Sequence, residues 1–242
     1  GPGVNPALSV VAPGGGLLRS YSSRVQGLAQ VGASFSPLGR WLVVAMEPDG
    51  VLSVADAQTQ APRALQGQPL STDPRAFVRF SPGESALAFT ARMDGGCRSE
   101  LLQLDGGVLA SAAANCSSVD AWVEMDPSDR WAFVRGATDQ VISLSGGASM
   151  DLGRVWAPLD GSPSFFTGDG RSLAFREGVS PPARVFTADP RSGQLRYVAD
   201  GDGAWIGAVP ASPVLVLIED ASRIPPGVSA VQPPGLYILA AP

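Results

Sequence analysis

The chemistry open to this chain is limited first by residue types it lacks. Its 242 residues include no histidine, and all 17 basic residues are arginine. Without imidazole there is no Ser-His or Cys-His nucleophile pair and no histidine-ligated zinc or iron, and without lysine there is no Schiff base. Carboxylates, two cysteines and arginines remain. Acidic residues gather at turn-like positions, in Asp126/Asp129, Asp169 and Asp200/Asp202. Alternating carboxylates and glycines can bind calcium, yet Asp200-Gly201-Asp202-Gly203 has no bidentate Glu following at loop spacing. These residues read as turn formers, and no metal ligand is assigned. Paired carboxylates could cleave a glycosidic bond, but their separation is a spatial quantity and no pair is nominated. No catalytic residue and no cofactor are assigned.

The cysteines carry a clearer signal. Cys97 and Cys116 flank a glycine turn, Gly106-Gly107. With Asp105 opposite Val108, the register carried outward sets position 97 opposite 116. The expectation is a disulfide between adjacent strands, contributing roughly 3 kcal/mol by restricting the unfolded chain. Such a bond points to an oxidising compartment. Asn115-Cys116-Ser117 meets the formal glycosylation pattern, which a bridged Cys116 would leave idle.

The elements that hold these residues follow from a repeat. An apolar residue, then Pro or Gly two positions later, a turn, and a short apolar strand recur as Phe35-Ser36-Pro37-Leu38-Gly39-Arg40, Phe80-Ser81-Pro82, Met125-Asp126-Pro127-Ser128-Asp129-Arg130, Phe166-Thr167-Gly168-Asp169-Gly170-Arg171 and Ala208-Val209-Pro210. The turn position falls at 37, 82, 127, 168 and 210, so the period suits a sheet of four short strands in each copy. Tryptophans keep the same phase: Trp122 and Trp205 precede their turn proline by equal steps, and Trp41 and Trp131 follow theirs by equal steps. They are expected to fill the seams between sheets. Within a copy, strand a ends at the turn and strand b follows it. Strand c covers residues 51–56, 100–105, 141–145 and 184–189, and strand d covers 108–114 and 194–199.

The chain is 45% apolar and 16% charged, enough to bury a core in one domain, residues 1–242. Its 29 Gly and 22 Pro punctuate short strands and leave little room for long helices. The architecture read here is an all-β propeller of four-stranded antiparallel blades, five or six in number with six favoured. The clear repeats span 33–217, the last strands 218–242, and residues 7–31 supply N-terminal strands, at 7–12, 17–22 and 25–30, that complete the ring. Residues 237–241 read either as the end of copy five or as strand a of a further blade. Pairing of N- and C-terminal strands would remove open sheet edges.

The Phe-Ser-Pro-x-Gly-Arg frame resembles the WD40-like repeat of TolB-type propellers, over residues 33 to 217. Copy two departs from it by lacking the turn glycine, and copy five has lost Phe, Gly and the basic residue. The resemblance implies a rigid disc of the bacterial cell envelope that presents loops to another protein, and it transfers no catalytic residue. Thr167-Gly168-Asp169-Gly170 partly resembles the aspartate box of sialidases, without the glycine and aromatic that should follow.

The function expected is therefore a non-catalytic protein-binding or scaffold propeller. The alternative is a carboxylate- or metal-dependent hydrolase, of glycosidase or lactonase type, working in the central channel. Against a lactonase stands the supply of only Asn5 and Asn115. Net charge is −5 and the arginines are scattered, which disfavours nucleic acid. No apolar run reaches the roughly 20 residues of a membrane span. Gly1-Pro2-Gly3 reads as the remnant of a cleaved tag, and a periplasmic or otherwise exported location is expected. The b-to-c and d-to-a loops vary most, and their stiff proline pairs and exposed aromatics mark a binding face. The contact residues chosen there are Arg154, Trp156, Arg92, Arg176, Asp220 and Arg223. Mass spectrometry without reduction is expected to recover residues 97 and 116 in one cross-linked fragment; two free thiols from oxidatively produced protein would remove the main argument for export.

Overall fold

The computed structural model describes residues 7–11, 17–22, 30–47, 50–57, 62–114, 116, 119, 122–146, 149–153, 166–167, 169–177, 184–200, 204–208, 214–219 and 235–240. The chain divides into two compact units, Gly1–Val123 and Glu124–Pro242. In the first, β1 (Ala7–Val11) and β2 (Leu17–Ser22) form a two-stranded hairpin. A four-stranded antiparallel meander follows: β3 (Gln30–Phe35), β4 (Trp41–Glu47), β5 (Val51–Asp56) and β6 (Pro62–Ala64). A second consists of β7 (Val78–Phe80), β8 (Ala86–Met93), β9 (Gly96–Gln103) and β10 (Val108–Ala114).

The second unit repeats the plan. β11 (Val123–Met125), β12 (Trp131–Val134), β13 (Gln140–Ser143) and β14 (Ser149–Asp151) make a four-stranded sheet. β15 (Leu173–Glu177), β16 (Arg184–Ala188) and β17 (Leu195–Asp200) make a three-stranded one, which a bridge from Phe166 to Leu173 extends at its first edge. β18 (Ala204–Ala208), β19 (Val214–Glu219) and β20 (Gly235–Ala240) make the last. Successive four-stranded meanders are the blade unit expected from the repeat.

The repeat frame has a physical reason. In four copies a buried Ser36, Ser81, Asp126 or Thr167 begins the a-to-b turn, exposed by 4, 0, 0 and 0%. Its N–H donates to the carbonyl five residues on, at Trp41, Ala86, Trp131 and Ser172, and its carbonyl accepts from residue 39, 84, 129 or 170. The side-chain oxygen accepts the backbone N–H of Trp41 (2.9 Å), Ala86 (3.0 Å), Arg130 (3.2 Å) or Ser172 (3.1 Å). A buried polar atom must be paired, so only Ser, Thr or Asp suits the position. The fourth residue of the turn is left-handed in all four of these, with φ +81° at Gly39, +59° at Glu84, +59° at Asp129 and +66° at Gly170. This completes a turn with a one-residue bulge.

Strands buried on both faces read as unbroken apolar runs. β4 is such a strand: Trp41 to Met46 are all buried. Trp41, Val43 and Val54 pack with Phe77, Leu87, Phe89 and Leu102 of the next sheet, while Leu42, Val44 and Met46 cluster on the other face. In the second unit Phe133 and Val141 pack with Phe166, Leu173 and Phe175, and Trp131 lies against them. Trp41 and Trp131 thus occupy seams between sheets, as their phase implies. One seam is tight at the backbone: a Cβ on Gly32 of β3 would stand 1.4 Å from the Thr72 carbonyl oxygen.

Two expectations from the sequence differ from the observed fold. The β9–β10 register sets Cys97 opposite Ala114, not Cys116, because the strands turn at 103–107 and a bulge follows Val108. The disulfide forms nonetheless, since Cys116 follows just beyond the strand end, with a Cα–Cα distance of 5.2 Å. Second, Gly235–Ala240 pairs with β19 as the third strand of its sheet, and so is not strand a of a further blade. Among the described residues β1 and β2 pair only with each other, and no sheet is closed by joining chain ends. Residues 25–29 lie outside the described residues.

Asp129 holds an unfavourable φ and a buried Oδ1 without a hydrogen-bond partner, so Asp129→Gly is expected to raise stability by roughly 0.5–1 kcal/mol in thermal unfolding. Glu84→Gly is expected to lower the Tm despite the same φ, because the buried Glu84 carboxylate accepts the Leu38 N–H and its loss leaves a void. Equal gains from both substitutions would show that this contact contributes nothing.

Candidate functional site

The frame also sets where its arginines emerge. Arg40, Arg130 and Arg171 each follow the left-handed turn residue, at the end of the sheet where a-to-b and c-to-d turns meet. In the first unit these cations are compensated. Arg40 Nε lies 3.2 Å from Asp56 Oδ2 and Nη2 lies 3.3 Å from Asp105 Oδ1, with the guanidinium over the Trp41 ring. Arg63 Nη1 donates to the carbonyls of Gln103 (3.2 Å) and Gly106 (2.8 Å).

The second unit arranges the same end differently. Arg130 donates from Nε to Ser128 Oγ (2.7 Å) and from Nη2 to the Gly170 carbonyl (3.0 Å), with Asp126 at 3.7 Å. Arg171 lies 3.7 Å from Asp169. The turn after β16 closes through Asp189, whose carboxylate accepts the Arg191 N–H at 2.8 Å. Arg196 of β17 stands opposite Thr187 of β16, and Thr187 opposite Ala174 of β15, so all three share a face. Arg130, Arg171, Arg191 and Arg196, with Trp131 and Thr187, line a cavity of about 470 Å³. That volume lies within the range of roughly 300–1,000 Å³ usual for ligand sites.

The charge balance of this cavity is positive. Asp126 and Asp169 each answer one guanidinium, whereas Arg191 and Arg196 have no ion pair among the described residues. The carboxylates at the cavity are engaged by backbone amides: Asp126 accepts from Arg130, Asp169 from Arg171 and Asp189 from Arg191. They act as turn formers, in keeping with the sequence reading. Thr187 is 1% exposed and its hydroxyl has no hydrogen-bond partner, a costly state for a buried polar group.

Of the contact residues expected from sequence, two fall within the described part. Arg92, near the end of β8, is exposed, and its backbone N–H and carbonyl pair with Gln68 (2.9 and 2.8 Å). Arg176 lies in β15 opposite Val185. Both sit toward the strand ends remote from the frame turns. Arg154, Trp156, Asp220 and Arg223 lie outside the described residues, as does Asp202. The four-arginine cavity was missed. Its partial signal was the basic residue closing the frame at 130 and 171; Arg191 and Arg196 carry no repeat phase and join them only in space.

No protein-family model and no curated protein sequence matches the chain. Among solved structures it is similar to a protein described as TolB from Agrobacterium tumefaciens, with 15% identity, a TM-score of 0.41, and coverage of 86% of this chain and 74% of that one. It is similar to the Cps50 (Swd1) β-propeller domain of Myceliophteria thermophila, with 10% identity, a TM-score of 0.39, and coverage of 98% and 90%. An oligogalacturonate lyase in complex with manganese is a further similar structure, with 17% identity, a TM-score of 0.38, and coverage of 78% and 61%.

Replacing the Thr187 hydroxyl by a methyl removes an unpaired buried polar atom at nearly constant shape. Thr187→Val is therefore expected to raise thermal stability by about 1 kcal/mol. A loss of stability would mean that the hydroxyl is already satisfied.

Proposed function

We propose that this chain is a propeller-type binding module, of five or six blades, that recognises another protein and carries out no catalysis. The observation that carries this reading is the four-arginine cavity at the turn end of the second unit, where every carboxylate named above is committed to a backbone N–H. Such a site offers charge and shape for recognition, and its carboxylates act as turn anchors. The frame turns support it by holding the arginines on hydrogen-bonded scaffolding, the usual arrangement for recognition by surface loops. The Cys97–Cys116 disulfide supports an exported location, and the partner is then a protein of the same compartment. Arg92, Arg154, Trp156, Arg176, Asp220 and Arg223 are proposed as further contact residues for it.

A pull-down on the immobilised chain tests this. The expected result is a retained protein whose recovery falls with Arg191→Glu/Arg196→Glu, or with Trp156→Ala/Arg154→Ala if the opposite loops bind. Equal recovery on all three proteins, or no protein retained, overturns the reading. A stoichiometric divalent ion in the purified chain would favour the hydrolase instead.

A further inference from the structure

We propose that the cavity between β12, β15, β16 and β17 takes an acidic peptide segment, with Arg191 and Arg196 meeting its carboxylates. This rests on the protein-binding reading and names the partner's chemistry. The chain as a whole is acidic, at −5, yet four arginines converge on one cavity. Like charges converge at a cost that an anionic ligand relieves. Arg130 and Arg171 are already answered by Asp126 and Asp169; the Asp189 carboxylate in the lining offsets one further charge, and Arg191 and Arg196 present exposed guanidinium groups to a ligand. Guanidinium and carboxylate match as planar, two-pronged partners.

Two observations favour an acidic peptide over a bare inorganic anion. The volume, about 470 Å³, exceeds what one small oxyanion fills. Trp131, Ala188 and Pro190 contribute apolar lining beside the arginines, which suits the methylene stems of Asp and Glu side chains.

The test uses the full chain and a fluorescent pentaglutamate peptide, followed by anisotropy, with pentaglutamine and inorganic phosphate as comparison probes. Arg191→Gln/Arg196→Gln removes two exposed cations and is expected to weaken pentaglutamate about tenfold or more with thermal stability unchanged. Affinity should fall with added salt, and phosphate should compete only at far higher concentration. Equal binding of pentaglutamine, no loss in the double variant, or phosphate binding as tightly as the peptide would overturn the proposal. If no acidic peptide binds while the chain still retains a protein, the chemistry named here falls and the protein-binding reading stands. If the peptide binds at the arginines while no protein is retained, the cavity's chemistry stands and the broader reading falls.

Discussion

The structure depends on a buried oxygen acceptor at the start of the four described a-to-b turns. Ser36, Ser81, Asp126 and Thr167 are removed from water, and each takes up a backbone N–H that the turn leaves without a strand partner. The same residue joins its own N–H to the strand ahead and its carbonyl to the left-handed residue. Three polar groups are satisfied within a few residues, so the chain can reverse inside the apolar body of a sheet without an orphaned amide. Ser, Thr or Asp recurs at the acceptor position, and Gly is favoured at the left-handed one, because each solves one part of that local problem.

Closure of the turn also decides the direction of the next residue, and the two units use this differently. Arg40 in the first unit is met by Asp56 and Asp105 and becomes a tie between adjacent sheets. Arg130 in the second ties to the Gly170 carbonyl and to Asp126, while the neighbouring hairpin brings Arg191 where the first unit has an acid. One local design thus yields a neutralised end in one unit and a cationic cavity in the other. A Cβ at Gly170 would stand 1.9 Å from Asp126 Oδ1, so contact between consecutive frame turns leaves no room for a side chain there.

Much of the fold was legible. Strand positions, the turn frame and the cysteine bond follow from interactions between residues near in sequence, where residue type and spacing carry the information, and the repeat phase marked the seam positions of Trp41 and Trp131. The β9–β10 register was less legible, because it depends on a bulge after Val108 that no residue type announces. The place of Gly235–Ala240 was open for a similar reason: an apolar strand carries its own faces but not the identity of its neighbour.

By itself the sequence determined an all-β chain of repeated meanders, its turns, and a pair of cysteines within reach of each other, since each is set by local backbone demands and burial. Only the tertiary structure decided where charge collects. Arg130, Arg171, Arg191 and Arg196 come from two sheets and are scattered singly along a chain of net negative charge. Electrostatic potential sums over distance in space, so their convergence exists only once β12, β16 and β17 have packed.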